Sequence, residues 1–162
     1  MGSTILGHLR IHLMLSLNML DRLIELCPDR LWAEKHGGFV FWQQLLHAYT
    51  GALFWTRGPG VEFAEPYAER NLYPEFEHDP EGTISRDELS VLARRVRDQI
   101  ETSIQGKTDA WLAEPSPVYD KITNADVLIG QVRHIQYHVG HCDSILREHG
   151  EQTPEWVDYL GE

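Results

Sequence analysis

The sequence has few cysteines and no long uninterrupted apolar segment. Its two cysteines, Cys27 and Cys142, are far apart, which is typical of a protein in the reducing cytoplasm rather than of a disulfide-stabilised secreted protein. No apolar stretch reaches the roughly 18 uninterrupted residues that indicate a membrane helix. We therefore expect a cytoplasmic protein without a membrane span.

Positive charge is also scarce in this chain. Acidic residues number 25 against 14 lysines plus arginines, so the formal net charge is −11. Proteins that bind nucleic acid neutralise phosphates with lysine and arginine, and anionic membrane surfaces attract basic segments. We therefore expect no nucleic acid and no membrane among its partners.

The length of the chain, 162 residues, suits a single domain, which we predict to span residues 1–162. A chain of this length can bury a core large enough to fold without a structural metal or a disulfide.

Four long segments have apolar residues at the three- and four-residue spacing of helices. The predicted helices cover residues 4–26, 39–57, 86–105 and 124–149, with shorter helical turns at 29–35 and 108–114. No segment shows the alternation of a β-strand. The predicted fold is all-α, an antiparallel four-helix bundle with one long crossover connection.

The ends of the helices and their inward faces can also be predicted from short stretches of the sequence. Ser85 and Glu88 have the spacing of a capping box, and Thr123 should cap the last helix. The inward residues expected on the first helix are Ile5, Leu6, Leu9, Leu13, Leu17, Leu20 and Ile24. Those expected on the third are Leu89, Leu92, Val96 and Ile100.

The long connection, residues 58–84, contains four prolines and seven acidic residues. Connections of this length in small domains are often functional loops or lids. A solvated connector explains the same composition, and both interpretations stay open.

Histidines are concentrated in the stretch "RHIQYHVGHCDSIL". On a helix, His134 and His138 project from one face, one turn apart, and can reach one zinc ion at about 2.0–2.1 Å. The predicted second helix has a single histidine, His47, in an apolar context. Because buried imidazoles need partners, a divalent ion shared by His47, His134 and His138 is the predicted site.

Several other side chains are candidates for supporting or alternative roles. His8 and His12, four residues apart on the first helix, are alternative ligands. Cys142 is a soft ligand or a small buried hydrophobe. The candidates for orienting or acid–base roles are His141, Gln43 and Gln131.

Some residues near the motif are expected to play no part in it. Gly140 should lower steric bulk beside the site, and Asp143 should face solvent. His36, His78 and His149 should be solvated at helix ends or in loops.

The pattern His134-x-x-x-His138-x-Gly140, with His47 between Trp42 and Trp55, resembles the DinB/YfiT-like proteins. The resemblance implies a four-helix bundle with one crossover and a divalent ion, commonly zinc or nickel. Members of that family include S-transferases and isomerases that use a low-molecular-weight thiol, but the resemblance does not settle the reaction. Two positions depart from the family pattern: His141 replaces a glutamine after the glycine, and Tyr137 replaces a histidine before His138. His141 could therefore be a fourth ligand or could form a hydrogen bond with a metal-bound water.

Three imidazoles with one open position are typical of a catalytic zinc site. Activation of a thiol for transfer and activation of water for hydrolysis both fit. The alternative is a non-catalytic helical metal-binding or dimeric interaction module, because helical bundles often form symmetric pairs. The tail, with Trp156, Tyr159 and Leu160, could pack on the bundle or on a partner.

Overall fold

The computed structural model describes residues 4–158 and is mainly helical, which confirms the all-α class. The long helices are α1 (Ile5–Leu26), α3 (Phe41–Trp55), α4 (Arg86–Ile104) and α6 (Asn124–Glu148). The short ones are α2 (Asp29–Trp32) and α5 (Asp109–Leu112). Within residues 4–158, no helix combines the length and the apolarity needed to cross a membrane.

A small hairpin precedes α3 where helix was predicted from residue 39. Strands β1 (Lys35–His36) and β2 (Phe39–Val40) pair antiparallel. Gly37 and Gly38 form the turn between them with φ of 59° and 99°. A Gly-Gly pair favours a two-residue hairpin turn because both positions need a positive φ. The prediction of helix at residues 39 and 40, and of no strand, was therefore wrong.

The core lies between the four long helices. α1 packs on α6, α4 and α3, while α3 also packs on α6 and α4. The expected inward residues of α4 are all buried, as are most of those of α1. Ile5 is an exception at 63% exposure, and Leu9 is only partly buried. The predicted metal ligands lie on α3 and α6, and the packing of these two helices makes them neighbours.

Capping boxes fix where α4 and α6 begin. The Ser85 hydroxyl accepts a hydrogen bond from the Glu88 backbone N–H, and Thr123 accepts one from that of Asp126. Each acidic side chain accepts in return from the cap residue's own N–H. The start of α6 at Asn124, and with it the placement of the histidines along the helix, therefore follows from a local signal.

The connection between α3 and α4 packs on α3 rather than extending into solvent. Within it, Leu72, Pro74 and Ile84 are buried, and Ala68–Arg70 form a 3-10 helix. Four non-glycine residues have left-handed backbone conformations: Tyr67, Asn71, Tyr73 and Phe76. Such conformations persist only where surrounding contacts hold them. Part of this segment is therefore held on the bundle while most of its residues are exposed, and both interpretations of it stay open.

The tail beyond α6 has one exposed aromatic residue among those described. Trp156 is 72% exposed. Tyr159 and Leu160 lie outside the described residues. Packing of the tail on a partner stays a prediction.

Candidate metal centre

The three predicted imidazoles meet between α3 and α6. The Nε2 atoms of His134 and His47 are 2.8 Å apart, and one ligand atom from each of the three histidines lies within 4.8 Å of the others. The ring centroids are 4.7–4.8 Å apart in all three pairs. Nitrogen ligands of a tetrahedral zinc ion lie about 3.3 Å from one another, given the usual Zn–N distance. The rings are therefore close enough to share one ion after small adjustments.

His138 is oriented by a buried glutamine on α3. Its Nδ1–H donates a hydrogen bond of 2.6 Å to Oε1 of Gln44, whose side chain is buried. This hydrogen bond leaves the lone pair on Nε2 free for an ion, an arrangement that metal-binding histidines commonly use. The orienting candidate predicted from the sequence, the adjacent Gln43, contacts the long connection instead.

His47 is oriented by the long connection. Its Nδ1–H donates to the carbonyl oxygen of Pro74 at 2.7 Å, and the ring of Phe76 stacks on it with centroids 4.5 Å apart. A carboxylate oxygen of Glu75 lies 3.8 Å from the same Nδ1. The connection therefore fixes the ring so that its Nε2 points to His134.

A glycine on α3 makes room for the third imidazole. A Cβ atom added at Gly51 would lie 2.7 Å from Cε1 of His134. Around Gly140, by contrast, an added Cβ would meet no atom within 4 Å, and this residue is exposed. The prediction that Gly140 reduces crowding at the site was therefore wrong, and Gly51 has that role.

Burial keeps two of the imidazoles neutral. It lowers the pKa of His134 to about 4, with a further contribution from His47. Burial also lowers the pKa of His138 to about 3, helped by the three neighbouring histidines, of which His47 contributes most. Metal ions bind the neutral form of imidazole. At neutral pH these side chains therefore offer nitrogen lone pairs, and the set of donors fits a divalent ion.

His141 lies outside the cluster that the structure forms within residues 4–158. It is half-buried, and its Nε2 is buried without a hydrogen-bond partner. The hairpin packs closely on this ring, since a Cβ at Gly37 would lie 3.2 Å from Cε1 of His141. Its role as a fourth ligand or as an acid–base group stays a prediction.

Two residues expected in solvent are largely covered. The side chain of Asp143 is 19% exposed with one buried oxygen, and burial raises its pKa. The side chain of His36 is 16% exposed, and its ring lies edge-on to that of His149 at 5.0 Å. Both predictions were wrong, for His36 because the hairpin turns it toward α6. His78 and His149 are exposed residues, as expected.

The remaining candidates have different surroundings. Cys142 is fully buried in the core, and burial raises its pKa well above the ordinary value, which agrees with the small-hydrophobe interpretation. Gln43 donates from Nε2 to backbone carbonyls of the long connection, at Leu72, Tyr73 and His78. His8 and His12 lie on α1, outside the three-histidine cluster.

A cavity of about 520 Å³ adjoins the cluster. His47 and His134 form part of its wall, together with Phe54, Trp55 and Phe63. This volume is in the range of small-molecule sites. The centre therefore has room for a ligand beside it, and Gln131, a candidate from the sequence, also lines this cavity.

Comparisons of this chain with protein-family models, with curated proteins and with solved structures found no significant match. The resemblance to DinB/YfiT-like proteins therefore rests on the sequence motif and stays a prediction. Function is inferred from the geometry of the centre and of its cavity.

Proposed function

We propose that this chain is a DinB/YfiT-like antiparallel four-helix bundle that binds one divalent ion, zinc or nickel, through His47, His134 and His138. The observation that carries the proposal is the convergence of three imidazoles at one edge of a cavity. Imidazole is a good ligand for both metals. Buried Cys27 and Cys142 agree with a cytoplasmic location, where they would stay reduced.

The proposed activity is that of a metal-dependent thiol S-transferase or hydrolase. A bound divalent ion makes water or a thiol a stronger nucleophile near neutral pH. The chain would contribute the rest: Gln44 and the Pro74 carbonyl hold two of the rings in place. The cavity beside His47 and His134 would hold the substrate next to the ion.

The alternative is a non-catalytic metal-binding or dimeric module. Structural zinc sites are usually closed by four protein ligands, whereas catalytic sites keep an open position. Among the described residues the cluster has three ligands, and a cavity adjoins it. The number of ligands and the adjoining cavity favour the catalytic interpretation over the non-catalytic one.

Elemental analysis of the purified protein tests the metal site. We expect about one zinc or nickel ion per chain, as for a three-histidine site, and loss of that ion in His47→Ala and His138→Ala. The matched control is His12→Ala, because His12 is an exposed histidine on α1. Circular dichroism would show that each variant folds. Equal metal content in the parent and both site variants would refute the proposal.

Activity assays separate the two enzymatic interpretations. The metal-loaded protein would be given glutathione with a chlorodinitrobenzene electrophile, or a nitrophenyl ester without thiol. Thiol-dependent turnover that disappears in His138→Ala indicates a transferase, and ester hydrolysis lost in the same variant indicates a hydrolase. A metal-loaded protein inactive toward both classes would favour the non-catalytic module.

A further inference from the structure

Two buried polar side chains in the wall of the cavity have unpartnered atoms. Thr50 and Gln131 are 2% and 4% exposed, and both line the cavity. Oγ1 of Thr50 and Oε1 of Gln131 are buried and have no hydrogen-bond partner in the structure. Buried polar atoms in proteins nearly always have such a partner. Small rotations of these two side chains would turn the atoms toward the cavity, where a bound molecule could supply the missing hydrogen bonds.

The rest of the wall is mainly apolar and aromatic. The ring of Phe54 lies edge-on to those of Trp55 and Phe63, with centroids 5.2 Å apart in both pairs. Val127 and Ile122 add aliphatic surface. Ring edges and faces of this kind pack well against a flat apolar body. The cavity therefore suits a ligand with an aromatic ring.

The charges around the cavity are of one sign. Glu75 and Asp126 line it, and among the described residues no lysine or arginine does. Hydrogen bonds from Thr123 lower the pKa of Asp126, which therefore stays ionised at neutral pH. Arg57, outside the wall, lies over the ring of Phe54 and donates to backbone carbonyls. In the metal-free protein, an anionic ligand would be repelled by these two carboxylates, and no cation of the chain lines the described part of the wall to compensate.

We propose that this cavity selects small aromatic molecules that are not anionic and that carry a hydroxyl or amino group, which donates a hydrogen bond to Gln131 and meets the Thr50 hydroxyl. This inference rests on the proposed function in that it treats the cavity as the substrate side of the metal centre. It adds a substrate class, namely neutral or cationic molecules that donate a hydrogen bond. It also adds two specificity-determining residues, Thr50 and Gln131.

Four probes that share one benzene ring test this selectivity: benzyl alcohol, benzylamine, benzoate and toluene. Their binding would be followed by the amide NMR signals of Gly51 and Gly130, which line the cavity. We expect benzyl alcohol to bind about 3- to 10-fold more tightly than toluene, as one net hydrogen bond allows. In the chelated protein, benzylamine should bind about 10-fold more tightly than benzoate, because the carboxylates of Glu75 and Asp126 repel the anion. Equal affinity for benzylamine and benzoate in the chelated protein would overturn the inference.

Two variants assign the selectivity to residues. In Gln131→Leu and in the nearly isosteric Thr50→Val, the preference for benzyl alcohol over toluene should fall to about 2-fold or less, since the hydrogen bond is lost. Thr50→Val provides the test should Gln131→Leu fail to fold. An unchanged preference in a folded variant would contradict the role of that residue.

The titrations would be made on the full chain both after treatment with a chelator and after loading with zinc. In the chelated protein the order of the probes depends on the cavity wall alone. A chain that binds no metal but keeps the expected order would refute the proposed metal centre and support this inference. A chain that binds metal but shows no order of affinity among the probes would support the proposed metal centre and refute this inference.

Discussion

Nδ1 of His138 and Oε1 of Gln44 lie 2.6 Å apart, and both side chains are buried between α3 and α6. Because the amide oxygen can only accept, the imidazole must carry its proton on Nδ1. Nε2 is then the atom available to an ion. A single glutamine thus determines both the tautomer and the orientation of the ring.

Replacing Gln44 by leucine should weaken zinc binding. Loss of such a supporting hydrogen bond typically costs about 10- to 100-fold in metal affinity, and we expect a decrease of that size in Gln44→Leu. Competition with a chromophoric chelator measures it. Gln99→Leu is the control, because Gln99 also donates hydrogen bonds from a half-buried amide, to Leu53 and Thr56. A similar decrease in both variants would mean a general loss of stability rather than a role at the centre.

Replacing Gly51 by alanine should displace His134. Alanine in place of glycine within a helix ordinarily adds about 1 kcal/mol of stability. Here the new Cβ would lie 2.7 Å from Cε1 of His134, so the ring must move. We expect zinc affinity to fall by about 10-fold or more, as when a ligand loses its orientation, measured with the same chelator competition.

Gly140→Ala is the matched control for that variant. It adds the same methyl group to α6, where no atom lies within 4 Å of the new Cβ. We expect unchanged zinc affinity and a gain of up to about 1 kcal/mol in the free energy of unfolding. Loss of zinc binding in Gly140→Ala, with Gly51→Ala unaffected, would reverse our assignment of the two glycines.

Replacing Gln43 by leucine should loosen the connection that orients His47. The Gln43 amide donates to three backbone carbonyls on either side of Pro74, which in turn accepts from His47. We expect faster hydrogen exchange at residues 72–78 and a loss of about 1–3 kcal/mol in stability, because buried acceptors lose their donor. Gln44→Leu should leave this exchange unchanged. Equal exchange in Gln43→Leu and the parent would show that other contacts hold the connection.

Helices and the three histidines could be predicted because their signals are local. The spacing of His134 and His138, and the apolar surroundings of His47, follow from the sequence. The neighbours that orient them could not be derived in this way. Gln43 and Gln44 differ by about 100° around α3, and only the position of α6 decides which of them reaches His138. Gly51 likewise gains its role from the helix that faces it.

The errors near the hairpin have a different origin. Predicting helix at residues 39 and 40 left out β2, the strand that pairs with β1 in the hairpin that turns His36 toward α6. The Gly37-Gly38 pair is the local signal for a hairpin turn at this point of the sequence. Asp143 was assigned to solvent from its angle on an isolated helix. Its oxygen is covered by structure that an isolated helix does not include.

The buried thiol of Cys27 should make the protein less stable at alkaline pH. Burial raises the pKa of Cys27 to about 12, whereas the thiol of an unfolded chain titrates near about 8.5. The folded state therefore holds the proton of Cys27 more tightly than the unfolded chain does. The stability that this protonated thiol contributes is fully present below a pH of about 8.5 and is lost as the pH rises toward 12. Between these limits one such group lowers the free energy of unfolding by about 1.4 kcal/mol per pH unit.

Cys27→Ala lacks this group, so urea denaturation should show its stability falling less steeply than the parent's between neutral and alkaline pH. Parallel pH profiles for the two proteins would show that the folded chain does not hold this thiol neutral.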